Sequence, residues 1–180
     1  AEIVKSNYYR YSTRQGMKDE FYEVLKGLPY GTVFHPEKYK NILMLTPSIW
    51  TGIYKKSFLD TYGIRFLESA GASFQDTGFM LKCFACASKV LLMKDAFLHY
   101  RVDNENSSVK SADKVYCICD EFAEIERFVQ ERPEVMEKYL RDIWAVRCQR
   151  YCWNFYRICG KVKREFLQRM RAEFWEAKKE

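Results

Sequence analysis

The chain has 180 residues, 48% hydrophobic and 17% aromatic, which is enough to bury a core and too apolar for a disordered segment. The net charge is +6, but it is localised: residues 141–180 carry 11 Lys/Arg against 5 Asp/Glu, while the first 140 residues carry 19 of each. No apolar run reaches the roughly 18 residues of a membrane-spanning helix, and there is no N-terminal signal pattern.

Residues 2–11 are rich in β-branched and aromatic types and read as a strand, broken at Gln15-Gly16. Phe21, Tyr22, Val24, Leu25 and Leu28 fit one face of a short helix over Met17–Leu28, stopped between Gly27 and Pro29. His35-Pro36 favours an extended residue and then a helix start, so Glu37–Leu45 is expected to be helical. After the turn Thr46-Pro47-Ser48, Ile49–Tyr54 reads as a mostly buried strand in which Gly52 marks a close approach. Lys55–Leu59 starts a short helix stopped at Tyr62-Gly63, and Ile64-Arg65-Phe66 is extended. A loop with Ala70-Gly71-Ala72-Ser73-Phe74 leads to Gln75-Asp76. There the spacing of Phe79, Met80, Cys83, Phe84 and Ala87 predicts a helix to about Ser88. Lys89–Met93 and Ala96–Val102 read as two strands, followed by a polar loop over Asp103–Ser111. Its Asn106-Ser107-Ser108 matches a glycosylation sequon, which means little in a chain without a secretory signal.

Beyond Ala112 strand signals stop. Asp113–Arg132 is an amphipathic helix with Val115, Cys119, Phe122, Ile125, Phe128 and Val129 inward. Pro133 opens a helix whose stripe is Leu140, Trp144, Cys148, Tyr151, Phe155 and Ile158, ended by Gly160. Val162, Phe166, Met170, Phe174 and Ala177 form the stripe of a last helix. The chain therefore reads as an α/β unit over 1–111 with an α-helical extension over 112–180.

There are seven cysteines. Cys83 and Cys86 form C-x-x-C, but on the apolar face of a predicted helix and without a second Cys/His pair at zinc spacing. Cys148, Cys152 and Cys159 follow another helix, so the cysteines are expected to act as small buried hydrophobes in a reducing compartment. Asp76 stands where a loop meets a helix N-terminus. Its plain reading is an N-cap that accepts backbone N–H groups of the first turn.

Residues Pro47 to Ser108 have the order and spacing of a known family's C-terminal half. Ile49-Trp50-Thr51-Gly52-Ile53-Tyr54-Lys55-Lys56 is a strand ending in tyrosine and two basic residues. Tyr62-Gly63-Ile64-Arg65-Phe66 with Glu68 follows, then Gln75-Asp76, then His99-Tyr100-Arg101 with Asn106-Ser107-Ser108. This ordered set resembles the family 2 glycosyltransferases of the GT-A fold, over about Ala1 to Ser111. The resemblance implies the C-terminal part of a GT-A sheet followed by a helical extension.

It also implies an inverting enzyme that transfers a sugar from a nucleotide-sugar donor to a saccharide or lipid-linked acceptor, in cell-envelope polysaccharide synthesis. Asp76 would be the general base. The helix dipole favours its ionised form, so Asp76 is expected to be deprotonated at neutral pH. His99 and Arg101 would contact the diphosphate, with His99 also a metal-ligand candidate. Trp50, Glu68 and Gln75 would face the acceptor. Each has a plainer reading: a core histidine, an arginine paired with an acidic neighbour, a core tryptophan, a solvated glutamate.

Mn²⁺ or Mg²⁺ would serve the full-length enzyme, but the chain contains no Asp-x-Asp. The 180 residues are therefore expected to be a fragment of a longer enzyme, inactive alone and without a metal of its own. The alternative is a non-catalytic module for assembly or membrane docking. The Lys/Arg excess beside Trp144, Trp153, Phe155, Phe166, Phe174 and Trp175 suits peripheral membrane contact through 140–180, or a homo-oligomer. No recognised motif points to nucleic acid. The expected location is cytoplasmic, or peripheral at the inner face of the membrane.

Overall fold

The computed structural model describes residues 1–14, 19–68, 74–104 and 114–177. Strand β1, Ile3–Tyr11, lies between its partners. It pairs in parallel with β5 (Val90–Arg101) and antiparallel with β2 (Glu20–Tyr22) and β4 (Gly52–Tyr54). The two-residue β3 (Val33–Phe34) pairs antiparallel with the other side of β5. The sheet order is β2-β1-β5-β3, with β4 also on β1, so the sheet is mixed and the α/β class holds.

β1 is unusual in burying polar residues in its middle. Lys5, Ser6 and Asn7 are all buried. Lys5 Nζ donates to Ser48 Oγ at 3.1 Å, Thr51 Oγ1 at 2.7 Å and the Ser48 carbonyl. No carboxylate pairs with it among the described residues, and burial lowers its pKa to about 7. Asn7 sits where the β1–β5 register shifts. Its Nδ2 donates to the Lys94 carbonyl at 2.8 Å and its Oδ1 accepts the Leu25 N–H at 3.1 Å. The side chain thus satisfies the Lys94 carbonyl at the irregular part of the ladder and a backbone N–H of the turn after β2.

The helices are α1 (Lys56–Thr61), α2 (Gln75–Cys86), α3 (Cys117–Gln130), α4 (Pro133–Arg157) and α5 (Gly160–Ala177). α2 is enclosed, with every residue from Thr77 to Cys86 buried. It packs on α3, on α4 and on two 3-10 segments, Pro36–Met44 and Ile49–Thr51. No described helix is long and apolar enough to cross a membrane.

Several expectations change. Residues 20–28 are β2 and a turn, not a helix. Tyr8↔Tyr22 and Tyr9↔Phe21 pair across strands, and Leu25 is held by Asn7, so a helix-like apolar spacing is satisfied by a strand and a turn. Pro36–Met44 is 3-10 and broken at Tyr39, and Ile49–Thr51 is 3-10 before the short β4. Gly52 does mark a close approach: a Cβ there would lie 2.8 Å from Tyr54 Oη. The two strands expected around Lys94-Asp95 are one strand, β5. Ser6 pairs with Met93 and Asn7 with Ala96, so the polar pair is a bulge, not a connection.

The α3 stripe lies inward as expected. The α4 stripe does so in part: Tyr151 is buried and Phe155 and Ile158 pack against the core, but Leu140 and Cys148 are exposed, and Val135, Tyr139, Ile143, Val146, Arg147 and Asn154 make up the rest of the buried face. Cys159 is exposed as well, so these two are not core cysteines. Of the α5 stripe, Phe166 is buried and Val162 is exposed. The break at Gln15-Gly16, the loop over 70–73 and the sequon at 106–108 lie outside the described residues.

Lys5 gives a test of this frame. Its folded pKa is below that of the unfolded chain, so the unfolded state binds more protons between about pH 7 and 10.5. Stability against urea should therefore rise with pH through that window, and Lys5→Met should flatten the rise.

Candidate active site

Helix α2 starts in an unusual way. Phe74 is its cap, in the left-handed region at φ 65°, with no side-chain capping bond. Its ring meets Trp153 edge-on at 6.0 Å, and the Arg157 guanidinium lies 5.6 Å from its centroid. Asp76 is therefore not the cap but the second residue of the helix. Its Oδ1 accepts the Thr77 N–H at 2.8 Å. Burial raises its pKa, outweighing the backbone hydrogen bonds and the Arg150 charge that lower it. At this carboxyl burial thus opposes the helix terminus. The chemical effect is a stronger base than a solvent-exposed aspartate.

Three further charged groups lie around α2, one of them on it. Glu121 of α3 is 1% exposed, and its Oε1 has no hydrogen-bond partner. Its Oε2 lies against Gly78, where a Cβ would come within 2.2 Å. A glycine in mid-helix here makes room for a carboxyl. Burial, opposed by Lys82 and reinforced by Asp76, pushes Glu121 up to about 7. Buried Lys82 of α2 donates to the Arg65 carbonyl at 2.6 Å and lies 3.4 Å from Glu124 Oε1. Arg150 of α4 donates to the Leu45 carbonyl at 2.5 Å, and its pKa is lowered by burial and raised by Asp76. Glu121, Lys82 and Arg150 were not singled out in the sequence. The available signals were a lysine inside an all-apolar helix and a glycine two residues after Asp76.

The other sequence-predicted residues fall into separate places. Gln75 is the first residue of α2 and donates to the Leu67 carbonyl at 2.9 Å. Glu68 is exposed. Trp50, 37% exposed, stacks on Tyr100 at 4.9 Å and 3° and meets Tyr8 edge-on at 4.7 Å. Its 3-10 segment packs on α2.

His99 and Arg101 alternate with Tyr100 on β5 and lie on the opposite face. His99 stacks on Tyr9 at 4.9 Å, with Nδ1 2.9 Å from Asp19 Oδ1. Arg101 Nε donates to Asp103 Oδ1 at 2.9 Å. Asp103 also accepts from Ser12, Thr13 and the Arg14 N–H. These bonds, that from Arg101 foremost, hold its carboxyl well below the usual carboxylate range. The acidic neighbour weighed for Arg101 is thus present.

Among the described residues no three His, Cys, Asp or Glu groups are placed to hold a metal. His99 and Asp19 offer one imidazole and one carboxylate, short of the oxygen-rich set that Mg²⁺ or Mn²⁺ takes. Cys83 and Cys86 are buried thiols whose pKa values burial raises, unlike zinc ligands. An open hollow lined by Lys40, Met136, Leu140 and Arg141 lies near the start of α4 and includes none of the sequence-predicted residues. Compared with protein-family models and with curated proteins, the chain matches none.

The buried carboxyl of Glu121 predicts a pH signature. Its folded pKa is above the unfolded value, so the native state holds the extra proton between about pH 4.5 and 7. Stability measured by chemical denaturation should fall with rising pH through that window. Glu121→Gln, which keeps the shape and removes the titration, should abolish the fall. Separately, Gly78→Ala should destabilise by about 1–3 kcal/mol through overpacking against Glu121.

Proposed function

We propose that the chain is the acceptor-side part of an inverting glycosyltransferase with a GT-A-type sheet, with Asp76 as general base. The observation that carries this reading is Asp76 itself. A carboxylate of raised pKa stands in the first turn of a buried helix, on which the 3-10 segment that carries half-exposed Trp50 packs. In the reaction an acceptor hydroxyl gives its proton to Asp76 as its oxygen bonds to the anomeric carbon of the donor sugar. The bond from that carbon to the diphosphate oxygen breaks, and the configuration inverts. A raised pKa suits the role provided the group remains ionised, which is the part Arg150 plays.

Trp50 and Tyr100 offer a flat aromatic surface on which a sugar ring of the acceptor can stack. Gln75 and Glu68 supply polar groups towards the same acceptor. His99 and Arg101, on the face of β5 opposite Tyr100 and paired with Asp19 and Asp103, are given no part in this step. A divalent metal would supply charge stabilisation to the departing diphosphate; no described residue of this chain is assigned to hold it.

The alternative reading, a non-catalytic module for assembly or docking, is favoured by the outward face of α5.

The test is sugar transfer by the intact enzyme from a nucleotide-sugar donor. Asp76→Asn should lower turnover by about 10²–10⁴-fold while thermal unfolding stays close to the parent's. Undiminished turnover in a folded Asp76→Asn protein would sink the assignment.

A further inference from the structure

Helix α5 is attached through one face. Phe166 is buried and meets Tyr151 at 5.6 Å and Tyr116 at 6.3 Å. Phe174 meets Trp144 at 5.3 Å and Tyr151 at 6.0 Å. Between them Glu173 accepts from Tyr151 Oη at 2.5 Å and Arg147 Nη2 at 2.6 Å, which fixes the helix in rotation.

The opposite face has a distinct composition. With about 3.6 residues per turn, Arg164, Leu167, Gln168, Arg171 and Trp175 form one outward stripe. Leu167 is 48% exposed and Trp175 is 59% exposed. The stripe contains no carboxylate. Glu165 and Glu176 fall to one side of it, and Glu165 is 3.6 Å from Lys161. On the other side Lys163 lies 4.3 Å from the Phe155 ring and 5.8 Å from that of Tyr156, which is 80% exposed. The surface therefore continues onto the end of α4.

A purely solvated face does not need Leu and Trp between its arginines. An apolar protein partner would have to desolvate those arginines without acids to pair them. A bilayer surface accommodates both groups, with guanidiniums level with lipid phosphates and Trp, Tyr and Leu at the acyl boundary.

We propose that the outward face of α5, Arg164, Leu167, Arg171 and Trp175, with Lys163 and Tyr156 at its edge, docks on a bilayer surface of anionic phospholipid. The charge supports that partner over a neutral membrane, since residues 141–180 carry 11 basic against 5 acidic groups. Nucleic acid would use the arginines but leave Leu167 without a role. The surface does not depend on the transferase reading.

The test uses the full 180-residue chain and vesicles of phosphatidylcholine with or without phosphatidylglycerol. The chain should float with the anionic vesicles at low salt, with a blue shift of tryptophan emission, and be released at high salt. Arg164→Gln with Arg171→Gln should lower the partition about thirtyfold, at roughly 1 kcal/mol per basic residue near the surface. Leu167→Ser should also weaken binding, and both variants should melt as the parent does, because the changed side chains are exposed. The proposal is overturned by no flotation on anionic vesicles at low salt, or by equal binding to phosphatidylcholine alone. It is likewise overturned if both folded variants bind as the parent does, or if an RNA oligonucleotide binds more tightly than the anionic vesicles.

Discussion

The buried polar run Lys5-Ser6-Asn7 is the constraint on which the rest of the fold depends. A central strand usually buries apolar side chains, and here three consecutive residues bury hydrogen-bonding groups instead. Each must find partners, and the partners are segments with little regular structure of their own. Lys5 gathers Ser48 and Thr51, Ser6 reaches the Thr51 carbonyl, and Asn7 holds Leu25 and Lys94. The 3-10 turn that carries Trp50, the turn after β2 and the bulge of β5 are therefore all anchored on one strand. Removing one partner would leave a buried donor or acceptor unsatisfied, at a cost of about 1–3 kcal/mol.

A different balance governs the first turn of α2. Asp76 and Glu121 are two carboxyls brought near each other by the α2–α3 packing, and burial disfavours the charge of both. The cations lie unequally. Arg150 acts on Asp76, and Lys82 acts on Glu121 from a position already bonded to the Arg65 carbonyl. The two groups are thereby placed in different surroundings, one with short helix hydrogen bonds and one with an oxygen that has none. Such a difference separates proton-binding strengths between neighbouring acids. It comes from three helices, two of which belong to the part of the chain beyond the sheet.

What could be read in advance follows from where a local pattern is also the packing pattern. α2 and α3 were legible because their apolar spacing marks the buried side, although Lys82 and Glu121 are buried among those residues. α4 was legible as a helix opened by Pro133, but its buried face was only partly so, because that face includes Arg147 and Asn154, whose charge and amide are satisfied by Glu173 and the Val115 carbonyl. Local polarity cannot announce partners on other helices. β5 was split because Lys94-Asp95 look like a connection, although bulge residues are freed from the alternation. β2 was missed because Phe21, Tyr22, Val24, Leu25 and Leu28 fit a helical wheel as well as they fit a strand and a turn. The position of Asp76 at a loop–helix junction was legible. Its electrostatic surroundings were not, since Glu121 and Arg150 reach it only through tertiary packing.

Phe74 has a consequence for how the molecule responds to its surroundings. A non-glycine residue in the left-handed region costs on the order of 1 kcal/mol, and it persists only when neighbours over-determine it. The neighbours here are Trp153 and Arg157, both on α4. The conformation of the turn that aims Asp76 is thus held from outside, by the last part of the helix on which α5 is carried. Any force that shifts the end of α4 alters the population of that turn, and by linkage any ligand that favours the turn steadies α4. The strained phenylalanine makes the distance between a surface event and the carboxylate only one side chain long.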